Sequence, residues 1–141
     1  SMETAEKAAF LDEFKKCKEK GAALFGVAAA NFSEGVDLPG DFLKAVVIVG
    51  LPLAKPDVKT RALIRYYDTK FGRGWDYGYT YPAMIKCLQA AGRCIRSETD
   101  KGVIVFLDQR FIHPTYFRGI PSDWEADVTR EYVGKIRRFF E

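Results

Sequence analysis

An α/β sandwich built on a mostly parallel sheet is the fold class the sequence predicts, and two observations carry that prediction. Residues 45–50 (AVVIVG) and 102–107 (GVIVFL) are unbroken apolar runs rich in β-branched side chains, the composition of strands covered on both faces. Segments with helical periodicity alternate with these runs, as layered α/β folds require.

Each element follows from local chemistry. Residues 3–20 read as an amphipathic helix, with Ala8, Leu11, Phe14 and Cys17 as its apolar stripe and Gly21 as its stop. Residues 22–28 form a short apolar run, expected to be a buried strand, and residues 31–40 a polar loop. The run at 45–50 is the clearest strand, and a connector with Pro52 and Pro56 follows it. Residues 57–71 predict a helix with Asp57 as its cap. Residues 72–81, rich in Gly, Trp and Tyr, read as a loop. Pro82 suits the first turn of a helix running to about residue 96. A strand at 102–107, an irregular stretch at 108–121 and a final helix at 123–140 complete the chain. Three strands are few for such a fold, so strands preceding residue 1 are expected to complete the sheet.

The 141 residues suit one domain, 1–141, read as a fragment of a longer chain. Ser1 before Met2 reads as a remnant of tag removal. No apolar run approaches the ~20 residues that span a bilayer, and no leader with a cleavage site is visible, so neither membrane nor secretion is expected. The net charge of +3 says little, but residues 55–110 hold eleven Lys and Arg against six Asp and Glu. A basic middle suits nucleic acid without requiring it. Three widely spaced cysteines (Cys17, Cys87, Cys94), a single histidine (His113) and no CxxC pair argue against a disulfide framework and a zinc site. A reducing, cytoplasmic setting is expected, or a nuclear one in a eukaryote.

On a helical wheel of residues 82–96, Arg93 and Arg96 fall within about 40° of Gln89, and Met84, Leu88, Ala91 and Ile95 lie opposite. The helix would bury the apolar stripe and present Gln89, Arg93 and Arg96 as a polar row. Gly92 beside that row would allow close approach by another body. A plain solvated face with two surface arginines explains the same spacing.

Gln89-Ala90-Ala91-Gly92-Arg93-Cys94-Ile95-Arg96 resembles the QxxGRxxR block of superfamily-two helicase motors. The continuation through Ser97, Asp100 and Gly102 into the apolar run ending Asp108-Gln109-Arg110-Phe111 resembles the XPD/DinG branch. Phe32-Ser33-Glu34-Gly35-Val36-Asp37 is similar to that branch's FxEGxD loop, and Val47-Ile48-Val49-Gly50-Leu51-Pro52-Leu53 to its strand and turn. The resemblance runs from about residue 10 to 124. Ala30-Asn31 stand where relatives often carry Gly-Gly. There is no GxxxxGK[ST] phosphate loop, no acidic magnesium box and no set of four cysteines for an iron–sulfur cluster. In the family these belong to the first motor half and its insertions.

The resemblance implies a RecA-like three-layer sandwich, incomplete here, serving as the second motor half of an ATP-dependent DNA helicase. It implies ATP with Mg²⁺ at a site shared with the first motor domain of the same parent. An iron–sulfur cluster is compatible with such a parent, though this chain has no ligands for it, and so are repair-complex subunits as partners. Arg93 and Arg96 would be arginine fingers, since a guanidinium is always cationic and its planar fork fits phosphate oxygens. Gln89 would position water or phosphate. Glu34 and Asp37 would link nucleotide to DNA, while Gly35 and Gly92 would let backbone approach the nucleotide. For single-stranded DNA, Lys55, Arg61 and Arg65 follow the central strand, with Arg61 and Arg65 on one helical face. Tyr66, Trp75, Tyr77 and Tyr79 are candidates for base stacking, against the simpler reading that they pack a long loop. Asp108, Arg110 and Trp124 are expected to pair and pack structurally. The fragment alone is expected to be inactive.

The alternative is a non-catalytic, motor-shaped interaction module. A phosphate loop and acidic box encoded upstream would favour the helicase, and their absence the module. An independent small-molecule enzyme has little to work with.

Overall fold

The computed structural model describes residues 4–27, 42–53, 55–95 and 97–141. Its elements are α1 (Thr4–Lys16), β1 (Ala45–Val49), α2 (Val58–Phe71), α3 (Tyr81–Ala91), β2 (Val103–Leu107), the short α4 (Pro114–Phe117) and α5 (Tyr132–Phe140). β1 and β2 pair in parallel, with Ala45 opposite Val103 and Val49 opposite Leu107. Parallel neighbours need a long crossover, and α2 and α3 lie within it.

The core forms where α3 meets the sheet. Ile48, Leu51, Met84, Cys87, Ala91 and Phe111 are buried together, and Val46, Ile104, Phe106, Tyr116 and Trp124 pack around them. Met84 and Ala91 of the predicted stripe are buried, joined by Ala83 and Cys87, whereas Leu88 is only half-buried. The opposite sheet face differs from expectation. Val47 is 53% exposed, Val49 75% and Leu107 45%. The described residues therefore cover one face of β1 rather than two, and a third layer is not among them. The apolar runs read as doubly buried because a β-branched run looks the same whether or not its second cover is present.

α2 packs not on the sheet but on the turn ahead of α3. Asp57 caps it, its Oδ1 accepting the Thr60 N–H at 2.7 Å, and Gly72 ends it in the left-handed conformation at φ 65°. Residues 72–81, predicted as a loop, instead hold a π-helical turn at Asp76–Thr80 that runs straight into α3. The Tyr81 N–H reaches the Asp76 carbonyl, one residue beyond α-helical reach. Pro82 accounts for the wide turn, since it lacks a donor and its ring collides with a carbonyl one turn back. Asp76 pins this turn. Its carboxylate takes Arg73 at 2.8 Å and Arg118 at 2.6 Å, and Arg73 also donates to the Tyr81 hydroxyl at 3.0 Å.

Three other boundaries move. α1 ends at Lys16, and of its stripe Leu11 is buried, packing with Phe14, Leu24, Phe42 and Leu43, whereas Ala8 is exposed. Residues 22–27 form no strand, and Phe25 is 89% exposed, since an apolar run without a ladder partner has nowhere to place its backbone donors; Ala28 lies outside the described residues. The final helix is only Tyr132–Phe140. Glu125 adopts φ 46°, a left-handed residue that breaks any helix from 123, and Thr129 accepts the Glu131 N–H through its side chain at 3.0 Å. Among the described residues no helix is long and apolar enough to cross a membrane.

Candidate nucleotide and nucleic-acid sites

α3 stops at Ala91, about a turn earlier than predicted, and residues 92–94 form a turn. Gly92 is the C-cap at φ −63°, not inside a helix running to about residue 96. Gln89 is exposed on the last turn of α3, and Arg93 is half-buried just beyond it. Ile95, predicted to continue the apolar stripe, is 44% exposed because the helix has already ended. Arg93 therefore lies just past α3 rather than on its face. Arg96, Glu34, Gly35 and Asp37 lie outside the described residues, so their juxtaposition with Arg93 is not on view.

Cys94 fixes where this turn sits. Its thiol points to the Leu43 carbonyl at 3.5 Å and the Val103 carbonyl at 3.9 Å, immediately before β1 and at the start of β2. The Gly92–Arg93 turn thus lies at the amino ends of the strands. Open α/β sheets commonly hold ligands at the carboxyl ends instead. α3 runs antiparallel to the strand it precedes, so its C-terminal residues must fall at the other end. Burial pushes the Cys94 thiol above its ordinary pKa, which suits a packing residue rather than a nucleophile.

At the carboxyl ends the structure places an ion pair. Asp108 caps the turn after β2 through the Arg110 N–H at 2.8 Å and holds the Arg110 guanidinium at 2.6 Å. Those hydrogen bonds lower the Asp108 carboxyl below its ordinary value and raise the guanidinium. Gly50, at φ 79°, passes beside both side chains. The structural pairing expected for these residues is what is found, and Trp124 packs against the core as expected.

Lys55, Arg61 and Arg65 come together. With Pro56, Ile64, Asp68 and Trp75 they line a groove of 470 Å³ beside the connector that leaves β1. Arg61, Ile64, Arg65 and Asp68 are one face of α2, at the i, i+3, i+4, i+7 spacing. The Arg61 Nε donates to the Pro56 carbonyl at 3.1 Å, which orients the guanidinium. The candidate stackers separate. Tyr77 packs among Tyr67, Phe71 and Tyr81, while Tyr66 lies beside Tyr67 with Lys70 over its ring. Trp75 is 60% exposed and meets Tyr79 at 85°. Ile64 and Asp68 went unnoticed in the sequence, although the spacing that links them to Arg61 was readable.

As to what these residues could hold, Arg93 offers a cation and Gln89 an amide to an anionic ligand. Among the described residues no group of three His, Cys, Asp or Glu could hold a metal ion.

Two parallel strands with α3 packed on one face fit the RecA-like fold of helicase C-terminal domains. The family described as helicase C-terminal domain matches residues 1–127, and the chain belongs to it, in the XPD/DinG-like group. It is 32% identical over 139 residues (92% of this chain, 17% of the relative) to the ATP-dependent DNA helicase chl-1 of Caenorhabditis elegans. It is 37% identical over 106 residues (74% and 15%) to the ATP-dependent DNA helicase DinG of Photobacterium profundum. It is 30% identical over 114 residues (79% and 15%) to the general transcription and DNA repair factor IIH helicase subunit XPD of Dictyostelium discoideum. The chain thus spans less than a fifth of these relatives' length.

Proposed function

We propose that this chain is the second motor half of an ATP-dependent DNA helicase and contributes arginines to a nucleotide site completed by a first motor half. The supporting observation is the GR turn at the amino ends of the strands, with Gln89 exposed and Arg93 half-buried beside it, in a chain whose family relatives are named DNA helicases. ATP with Mg²⁺ would supply the phosphoryl group and its hydrolysis energy. Arg93 and Arg96 would neutralise charge growing on the phosphate oxygens, Gln89 would orient a water or phosphate oxygen, and Glu34, Gly35, Asp37 and Gly92 would shape the same wall. An arginine in that role is worth ~10³–10⁵ in rate. Lys55, Arg61 and Arg65 would hold single-stranded DNA. Repair-complex subunits as partners and a cytoplasmic or nuclear place belong to the same proposal.

The test is turnover in the full-length parent. Arg96→Ala and Arg93→Ala should each lower ATP hydrolysis by at least ~10³-fold with nucleotide binding largely kept, and wild-type turnover in both would refute the arginine role. The 141-residue chain alone should neither hydrolyse ATP nor unwind DNA.

A further inference from the structure

We infer that the groove between α2 and the turn before α3 is a subsite for one unpaired nucleotide, with its base on Trp75 and its flanking phosphates on Arg61, Arg65 and Lys55. The inference rests on the DNA-track reading above and narrows it to one residue-level contact.

Three observations converge. The groove places three cations along one wall and an exposed indole in its lining. Its 470 Å³ is an open groove rather than an enclosed pocket, the form that suits a strand lying across it. No carboxylate among the described residues forms an ion pair with Lys55, Arg61 or Arg65, whereas Arg73, Arg110, Arg118 and Arg138 each have one. Asp68 also lines the groove, but one of its oxygens accepts the Gly74 N–H at 3.2 Å. An exposed arginine held by a backbone carbonyl, as Arg61 is by Pro56, stays aimed while keeping its charge for an anion.

The chemistry selects the ligand. Phosphates alone would need only the cations. An indole with 60% of its surface in water offers an aromatic surface to a base, and Tyr79 against it limits the ring's freedom. In a duplex both faces of a base are covered by its neighbours, so stacking on Trp75 requires an unpaired nucleotide. The subsite therefore separates single strands from duplex by shape, and it lies at the opposite end of α3 from the Gly92–Arg93 turn.

The experiment measures fluorescence anisotropy with the 141-residue chain and three labelled probes of equal length: an oligothymidylate, an abasic phosphodiester strand and a duplex. Trp75→Ala should weaken the oligothymidylate about tenfold, the size of one base–aromatic stack, and leave the abasic strand unchanged. Arg61→Ala with Arg65→Ala should weaken both single strands alike and lower the slope of log affinity against log salt by about 1.4. Trp75→Phe, which keeps an aromatic face, should recover most of the loss, with circular dichroism verifying that each variant is folded. Unchanged oligothymidylate affinity in Trp75→Ala, an equal loss for the abasic strand, or a folded Trp75→Phe as weak as Trp75→Ala would overturn the subsite. Those outcomes leave the DNA-track reading standing; a wild-type chain that binds no single strand sinks both.

Discussion

Gly78→Ala should destabilise this domain, and the reason is how closely its backbone approaches α2. A Cβ at residue 78 would sit 2.8 Å from both Ile64 Cγ1 and the Ile64 backbone nitrogen and 2.9 Å from Ile64 Cα. Two of those three atoms are backbone of a regular helix, so relief requires α2 to move bodily away. Forcing one extra carbon into such a contact costs about 1–3 kcal/mol. At this chain length that corresponds to a fall in melting temperature of about 3–10 °C. Gly134→Ala is the matched control. Its new Cβ would meet the Glu131 carboxylate at 2.8 Å, but that is the free end of a flexible, exposed side chain. Replacing a helical glycine there should be neutral or should stabilise by up to roughly 1 kcal/mol. Thermal melts followed by far-ultraviolet circular dichroism compare the two. A Gly78→Ala protein melting within a degree of wild type would refute the packing argument, because nothing else in the turn could absorb the added carbon.

Cysteine reactivity gives a second check. Burial pushes the Cys87 thiol up to about 11 and the Cys94 thiol up as well, so near pH 8 a thiol reagent should modify Cys17 well before either. Gly102→Ala should lower the melting temperature because its Cβ would lie 2.3 Å from the Cys94 sulfur, and Cys94→Ala in the same chain should restore part of the loss. Acid titration tests the carboxylates. Asp57 is held below its ordinary value chiefly by the Thr60 N–H and Asp108 by Arg110, so their stabilisation is present above the unfolded pKa of about 4. It is lost as pH falls through their lowered folded values, and Asp57→Asn with Asp108→Asn should flatten that acid limb of the melting-temperature profile.

How much of this was legible depended on whether a signal was local. The two paired strands, the Asp57 cap, the helix end at Phe71 and the burial of Met84 and Ala91 depend on spacing and side-chain type along one segment, and all appear where the sequence puts them. Residues 22–27 failed because a strand exists only with a partner, and partner identity is not written in an apolar run. Residues 72–81 failed because Gly, Trp and Tyr resemble a loop, while the wide helical turn depends on Pro82 ahead and on Asp76 meeting Arg118 from 42 positions away. At the site, grouping Lys55 with Arg61 and Arg65 was readable from the connector and the i,i+4 spacing. Trp75 could not be separated from Tyr77 without coordinates, because only tertiary packing decides which ring is spent on its neighbours.

The position of the GR turn sets how the two candidate sites relate. Residues 74–91 are helical throughout, which at 1.5 Å per residue is a rod of about 27 Å. Trp75 stands at its start and Arg93 just past its end. Met84, Cys87 and Ala91 lock this rod to β1 through the buried core, and Gly74 and Gly78 lock it to α2 through Ile64. Packed interiors of this kind move as bodies rather than shearing gradually. A displacement imposed on the Arg93 end would therefore carry the Trp75 groove with it, and no separate hinge is needed between them. In the proposed motor, closure on a nucleotide at the amino ends of the strands would shift the hold on a single strand at the far end of the same rod. The π-helical turn, the rod's one irregularity, sits beside the groove rather than beside the arginine, so any compliance in the rod belongs to the Trp75 end.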